Sequence, residues 1–432
     1  MSAASIRDAL FTKINNHVFY GWVILGFAAL GMFASGPGQS HTFSVFIRPI
    51  SEDLGIGATS IASAYAFATL AAAFGLPHMG RLVDRFGPRR MVLIVSLLLG
   101  VACMAFGAAA NMIWLALGFA ALRFLGQGSL MLNCSNLVAQ WFSRRRGFAL
   151  SLMALGFAGS MAVHPPLGQW LIDLVGWRQA WVWLGVITWV LLLPPILLLV
   201  HNKPEDKGIL PDGDDRAAGQ QADQPAPVQT AEAGLTLSEA LRTPTFWIVA
   251  IGMFSIAMLV TALHFFQVSV FEAHGLSPQI AARVFPVSAI TMVVLMPLVG
   301  RMLDRFRTSY MFAAALLVMS AALIAMSGVY DLTTALLYAV VFGLNNAVSI
   351  TLFSFLWPHY FGRRHLGSIQ GAGQMIGVVG ASLGPLPLGI AFDLFGSYDE
   401  TLLVMAILPV ICAVLALFLR EPAAHTVAKS TV

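Results

Sequence analysis

Charged residues are scarce in this sequence. Asp, Glu, Lys and Arg make up 10% of its 432 residues, against about 25% in soluble proteins, whereas hydrophobic residues make up 58%. This composition excludes a water-soluble fold and a disordered regulatory protein. The net charge is only +4, and the basic residues do not gather on one soluble face, so nucleic-acid binding is not indicated.

Cysteines and catalytic motifs are scarce as well. The three cysteines, Cys103, Cys134 and Cys412, lie in apolar segments without the spacing of a metal site or a disulfide framework. The sequence contains no phosphate-binding loop, no metal-ligand cluster and no nucleophile–base arrangement. We therefore expect neither an enzyme nor a protein that carries a metal or another cofactor.

Long apolar runs dominate what is present. Runs such as Met91–Ala110 and Trp181–Val200 can cross a hydrocarbon core of about 30 Å. Each run must be helical, because a backbone group without a hydrogen bond is costly in lipid. We predict an all-α integral membrane protein with twelve transmembrane helices in two pseudo-symmetric six-helix bundles. The predicted spans lie near 20–47, 56–80, 90–110, 112–138, 147–172, 178–200, 245–271, 279–300, 309–328, 332–357, 367–392 and 401–419.

The basic residues predict the orientation. With the N-terminus inside, 20 of the 24 Lys and Arg residues fall on the cytoplasmic side. Arg48, Arg178 and Arg283 fall on the opposite side, and Arg123 lies inside a span. This asymmetry favours a multi-pass protein of the cell (inner) membrane with both termini in the cytoplasm.

The chain repeats itself on either side of a polar segment. Gly80–Phe86 (GRLVDRF) returns as Gly300–Phe306 (GRMLDRF), and Trp141–Arg145 (WFSRR) returns as Tyr360–Arg364 (YFGRR). Two motifs at nearly one spacing indicate a duplicated six-helix unit, which is how secondary transporters are built. We predict an N-terminal bundle at 1–201, a flexible cytoplasmic linker at 202–243 and a C-terminal bundle at 244–432.

These motifs resemble those of the major facilitator superfamily. Its loop motif G-x-L-x-D-R-x-G-x-R-R is matched by Gly80, Leu82, Asp84, Arg85, Gly87, Arg89 and Arg90, and its fourth-helix motif is matched in shortened form by Arg123–Gly126. Within the superfamily, Tyr20-Gly21-Trp22, Trp141–Gly147 and Tyr360–Arg364 are similar to the monocarboxylate porters and the oxalate/formate antiporters. The resemblance implies transport by alternating access, through rocking of the two halves.

The sequence departs from the porters at charged positions. Their eighth-helix Arg and Asp correspond to Met296 and Met292 here, and their first-helix Lys corresponds to His41. The strongest carboxylate anchor that the resemblance implies is therefore missing.

Ionisable and amide side chains inside the spans are the candidate binding groups, because burying them in a membrane is costly. The candidate substrate-binding residues are His41, Arg123, His264, Gln267, Asn345, Asn346, Tyr65 and Gln39. Arg123 either anchors a carboxylate or bonds to backbone near the first helix, with a part in coupling. His41 and His264 either carry a coupling proton or remain neutral hydrogen-bonding groups. At most one of Asn345 and Asn346 can face a cavity fully.

The resemblance implies a gating role for the loop motifs. Asp84 and Arg85, with Asp304 and Arg305 in the second half, are expected to form charge pairs that hold one side closed.

Three functions remain open from the sequence. We expect a monomeric secondary transporter that moves a small organic anion, such as a monocarboxylate, with protons or a counter-anion. The alternatives are an exporter of a neutral or hydrophobic compound and a receptor that signals through the linker.

Overall fold

The computed structural model describes residues 3–142, 145–213, 235–362 and 366–420, without the side chains of 3–6, 77, 84, 146–147, 151, 304, 354, 366–368 and 370. These residues form helices and connecting turns. The helices are α1 Ala3–Asn15, α2 Gly21–Ala34, α3 Ser40–Phe43, α4 Ile47–Leu54, α5 Ala58–Phe86, α6 Pro88–Gly107, α7 Met112–Leu122, α8 Met131–Trp141, α9 Arg146–Leu198, α10 Leu237–Leu241, α11 Pro244–Ala273, α12 Pro278–Arg305, α13 Thr308–Ser327, α14 Leu332–Phe361, α15 Leu366–Leu383, α16 Pro385–Phe395, α17 Asp399–Met405 and α18 Ile407–Ala416.

The chain packs as two compact units. One contains Met1–Phe46 and Ala71–Pro227, and the other contains Ile47–Leu70 and Val228–Val432. The domain boundaries predicted from the sequence, at 201/202 and 243/244, divide the chain into continuous segments, and they stay a prediction. Within the first unit, α9 packs against α2 and α6, and within the second, α11 packs against α15 and α14 against α12.

The helices account for the predicted spans. Among the described residues, ten helices are long and apolar enough to cross a membrane. The apolar stretch Phe148–Leu198 holds two predicted spans, which meet at Gly176, where φ is 77°. The first predicted span contains the shorter apolar helix Gly21–Ala34. The all-helical fold with twelve spans is confirmed. Large apolar side chains, such as those of Leu117, Val190 and Ile290, face outward, as expected for contact with lipid.

The first span is interrupted where the sequence reads Gly36-Pro37-Gly38. These residues form a 3₁₀ turn between α2 and α3, because proline cannot donate an N–H to a helix. The backbone of Gly38 lies directly against the fourth span: a Cβ added there would be 2.8 Å from the Gln127 nitrogen. The break therefore turns backbone carbonyls of the first span toward neighbouring helices.

The fourth span is interrupted as well. Arg123–Leu130 forms a π-helical segment between α7 and α8. Such segments widen the helix locally and are frequent at functional sites. Nothing in the hydrophobic pattern of this span predicts the segment.

His201 packs in an aromatic cluster beside the end of α9. Its ring lies 5.3 Å from Phe11 and 5.6 Å from Tyr20, centroid to centroid. Burial, with the nearby charges of Lys207 and Arg7, lowers the pKa of His201 to about 4. Because the unfolded chain binds this proton with a pKa of about 6.5, His201 stabilises the fold above pH ~6.5, and this contribution is lost as the pH falls toward 4.

Candidate functional site

The break in the first span carries two of the predicted binding residues. Gln39 is buried, and its Nε2 donates to Ser35 Oγ at 3.1 Å. His41 is buried completely, and its ring meets Phe157 edge-on at 5.5 Å between centroids. Both residues follow the 3₁₀ turn directly, so the Gly-Pro-Gly sequence fixes where their side chains enter the interior of the first unit.

His41 belongs to a chain of three polar side chains. Its Nε2 lies 3.2 Å from Ser160 Oγ, which lies 3.2 Å from His164 Nδ1. The same Nδ1 lies 3.2 Å from the Ser160 carbonyl oxygen, which can only accept, so Nδ1 donates there. The Ser160 hydroxyl is then free to donate to His41 Nε2. The chain thus joins two imidazoles through one hydroxyl inside the first unit.

Arg123 donates from Nη1 to the Gly38 carbonyl oxygen at 3.0 Å. This is the backbone contact near the first helix that one of its two interpretations predicts. The side chain is 3% exposed. Among the side chains whose burial the structure describes, it is the one buried Lys, Arg, Asp or Glu. Its role as a carboxylate anchor stays a prediction.

The second unit holds a different polar group between α11, α12 and α14. Gln267 donates from Nε2 to the Ala281 carbonyl oxygen at 3.4 Å and accepts from the Tyr338 hydroxyl at 3.2 Å. His264 lies one turn earlier on α11, between the rings of Phe285 and Phe342. Both predicted residues therefore lie in a largely aromatic environment.

The two adjacent asparagines of α14 differ in their surroundings. Asn345 is 0% exposed, and neither its nitrogen nor its oxygen has a hydrogen-bond partner. Asn346 is also buried but does have an interaction partner. Ser349, one turn after Asn345 on the same helix face, has a buried Oγ without a partner. Since a buried amide without partners costs about 1–3 kcal/mol, Asn345 is available to a ligand that offers both a donor and an acceptor.

Tyr65 lies outside these groups. It is fully buried and packs its ring on Phe265, with 4.5 Å between centroids. Both residues belong to the second unit. The structure thus brings Gln39, His41 and Arg123 to one break in the first unit, and places His264, Gln267 and Asn345 along facing helices of the second.

The predicted gating residues are only partly described. Arg85 and Arg305 are exposed at the ends of α5 and α12, and Arg85 lies over the Phe86 ring at 5.2 Å. The side chains of Asp84 and Asp304 lie outside the described residues, so the charge pairs stay a prediction.

Two groups of contacts, made by Arg48 and by Asp393, were not predicted from the sequence. Arg48 on α4 binds Glu52 at 2.8 Å and Glu272 at 3.1 Å, and the bond to Glu52 raises the pKa of Arg48. Asp393 on α16 accepts from the backbone nitrogens of Ala58 and Thr59 at the start of α5. The Arg48–Glu272 bond and the bonds of Asp393 to Ala58 and Thr59 join residues more than 200 positions apart, and no local pattern reports such a pairing.

Side chains that bind metals do not cluster in the described part of the chain. Among the described residues, no group of three or more His, Cys, Asp and Glu side chains is arranged to hold a metal ion. The polar groups are suited to hydrogen bonding and to pairing with an anion.

Comparisons with known proteins agree with this architecture. The chain is 24% identical to human monocarboxylate transporter 2 over 88% of its length and 81% of that protein. It is also 24% identical to the oxalate:formate antiporter of Oxalobacter formigenes, over 54% of this chain and 52% of that protein. A solved bacterial homolog of the human lysosomal transporter Spinster superimposes with a TM-score of 0.67 at 17% identity, covering 95% of this chain and 97% of that one.

The sequence profile of the Major Facilitator Superfamily matches residues 21–385. The predicted resemblance is thereby confirmed over most of the chain. Members of this superfamily are multi-pass membrane transporters and not enzymes, and the chain belongs to the Major Facilitator Superfamily.

Proposed function

We propose that this transporter moves a small organic anion, and specifically a monocarboxylate, by alternating access across the cytoplasmic membrane. The observation that carries the proposal is the charge of the buried interior. Arg123 is the one buried Lys, Arg, Asp or Glu among the described side chains, so the interior favours an anion over a cation. The relatives named for monocarboxylates and for oxalate and formate support the same substrate class.

The polar groups supply neutral contacts for such a substrate. Asn345 offers an unused donor and an unused acceptor, and a guanidinium offers paired donors that match a carboxylate. Met292 and Met296 stand where the porters carry charges, so in this proposal Arg123 takes over the role of the anion-binding cation. Coupling to protons is assigned to His41, which is joined through Ser160 to His164.

Transport by the purified chain in liposomes tests the proposal. Labelled formate, acetate, lactate and oxalate are supplied with an inward proton gradient or with unlabelled acid inside. Proton symport predicts uptake driven by the pH gradient, whereas exchange predicts uptake driven by the internal acid. If none of these acids is transported or bound, the substrate class is wrong.

Arg123→Gln tests the anion-binding role. A lost charge-assisted bond of about 1.5–3 kcal/mol weakens substrate binding roughly 10- to 100-fold. Arg178→Gln is the matched control, since Arg178 also donates to backbone carbonyls, of Gly107 and Ala109, but belongs to no predicted binding group. Equal loss of uptake in both variants would show that Arg123 acts only through the fold.

An exporter of a neutral or hydrophobic compound is the second candidate. The observation that favours it is the aromatic environment of His264, beside Phe285 and Phe342, with Met292 buried on the same helix as Phe285. This function predicts an apolar ligand whose affinity is unchanged in Arg123→Gln and falls in Phe342→Ala. The opposite pattern excludes it.

A further inference from the structure

A basic cavity opens at one end of the second unit, apart from the predicted binding groups. Its volume is about 920 Å³, and it is lined by the end of α12, the start of α13, the end of α14 and the residues after α18. Arg305, Arg307 and Arg420 are the Lys, Arg, Asp or Glu residues of its lining. All three are exposed.

The three arginines have no acidic partner in the described parts of the chain. The ion pairs found there involve Arg7, Arg48, Lys207 and His274 as the basic groups. The Arg420 backbone is fixed, because its carbonyl oxygen accepts from Thr245 Oγ1 at 2.8 Å. Three like charges around one space repel each other, and an anion bound between them relieves that repulsion.

The start of α13 adds further hydrogen-bond donors to the lining of the cavity. Arg307 is the N-cap residue and makes no side-chain cap, so the backbone N–H groups of Thr308 and Ser309 are left without a capping side chain. Helix N-termini of this kind bind phosphate and other anions. The Thr308 hydroxyl lies 3.1 Å from His359 Nε2, and both residues line the cavity.

The duplicated position in the first unit is filled by protein. There α6 begins at Pro88, and the Arg89 N–H donates to Asn202 Oδ1 at 3.0 Å. A Cβ added at Gly87 would be 2.9 Å from the same Asn202 oxygen. In the first unit, a side chain therefore accepts from the N-terminus of α6. Among the described residues, no side chain does the same for α13, the corresponding helix of the second unit.

The cavity lining also includes exposed apolar side chains. Phe306 is 56% exposed, Phe418 is 67% exposed and Leu417 is 49% exposed. Phe306 follows the transmembrane helix α12 directly, and Leu417 and Phe418 follow α18. A lining that combines arginines and uncapped N–H groups with exposed apolar side chains fits a phosphate that carries acyl chains.

We propose that this cavity binds the phosphate headgroup of an anionic phospholipid. The guanidinium groups of Arg305, Arg307 and Arg420 donate to the phosphate oxygens, and the acyl chains lie along Phe306 and Phe418. The site is distinct from the predicted substrate groups, since none of those residues lines it. The proposal does not depend on which substrate is transported.

The test compares lipids on the purified full-length chain in a neutral detergent. Phosphatidylglycerol, phosphatidylcholine and inorganic phosphate are titrated separately, and the lipid concentration for half of the maximal rise in Tm is measured. Binding at the headgroup stabilises the folded chain, so phosphatidylglycerol raises Tm at the lowest concentration. An equal response to phosphatidylcholine overturns the proposal. An equal response to inorganic phosphate assigns the cavity to a soluble anion and overturns the lipid assignment.

Arginine variants test whether the response of Tm to phosphatidylglycerol arises at this cavity. In the triple variant R305Q/R307Q/R420Q, the half-maximal concentration of phosphatidylglycerol rises at least about tenfold, as expected for the loss of charge-assisted bonds. The control R81Q/R90Q/R301Q removes the same charge from exposed arginines that do not line the cavity and keeps the wild-type response. If either triple variant does not fold, the single variants R307Q and R301Q are compared by native mass spectrometry for retained phosphatidylglycerol. Equal lipid retention by the cavity and control variants contradicts the proposal.

Discussion

Asn345 provides the sharpest test of the binding groups, because removal of its side chain should stabilise the empty protein and weaken substrate binding. Its amide is fully buried and has no partner. Removing such a group recovers about 1–3 kcal/mol. Asn345→Ala therefore raises the stability of the empty protein while it removes a contact from the bound substrate.

Asn346→Ala is the matched control. It makes the same truncation at the next position of α14, where the residue is also buried but has a partner. Losing that interaction recovers no free energy, whereas Asn345→Ala recovers about 1–3 kcal/mol. The two variants should thus differ by at least about 1–3 kcal/mol, which corresponds to roughly 2–12 °C in Tm for a unit of about 200 residues.

The assay measures Tm without substrate and uptake at several substrate concentrations. We expect Asn345→Ala to unfold at a higher temperature than Asn346→Ala and to show a KM that is raised about 5- to 10-fold. If Asn345→Ala is the less stable variant and its uptake is unchanged, the amide has a structural partner and the reasoning is refuted.

Three further predictions concern stability and the linker. His201→Gln should reduce the loss of Tm between pH 6.5 and pH 4.5, because the lowering of the His201 pKa to about 4 accounts for at most about 3 kcal/mol of the free energy of unfolding. Substitution of the exposed His17 by Gln is the control, and equal acid sensitivity of the two variants contradicts this role of His201. Asp393→Asn should lower Tm by a few degrees, as expected for a carboxylate at a helix N-terminus worth about 0.3–1 kcal/mol. Asp173→Asn changes the duplicated position, where the carboxylate accepts from Gln169, and should unfold at a higher temperature than Asp393→Asn; the reverse order contradicts the capping role. Deletion of residues 212–234 should leave transport unchanged, whereas loss of flux would favour a signalling or regulatory linker.

The architecture could be predicted from the sequence because its causes are local. Each span is an apolar run of the length that a membrane requires, and the duplicated loop motifs mark the repeat. The break at Gly36–Gly38 also follows from residue type, since proline and glycine disfavour a continuous helix. These features depend on residues a few positions apart.

The site could be predicted only as a set of residue types. The sequence placed His41, Arg123 and Asn345 inside spans, but it did not show that Ser160 joins two imidazoles or that Tyr338 holds Gln267. These contacts join different helices, and hydrophobic periodicity gives the face of a helix but not its partner. The π-helical segment at Arg123–Leu130 depends on packing in the same way.

The difference between Asn345 and Asn346 shows this limit at neighbouring positions. Helical geometry predicts that at most one of them faces a cavity fully, and the contacts then distinguish the residue that lacks partners from the one that has one. The cavity beside α13 was not predicted at all, because it depends on Arg420 lying beside arginines more than a hundred residues earlier.

Uptake of labelled monocarboxylates by liposomes that contain only the purified chain tests the central claim most directly. The account predicts saturable uptake of at least one of these acids, driven by a proton gradient or by acid inside, and reduced roughly 10-fold or more in Arg123→Gln but not in Arg178→Gln. Uptake no greater than that of protein-free liposomes across the whole panel, by a chain that binds an apolar ligand and is stable in detergent, would contradict it.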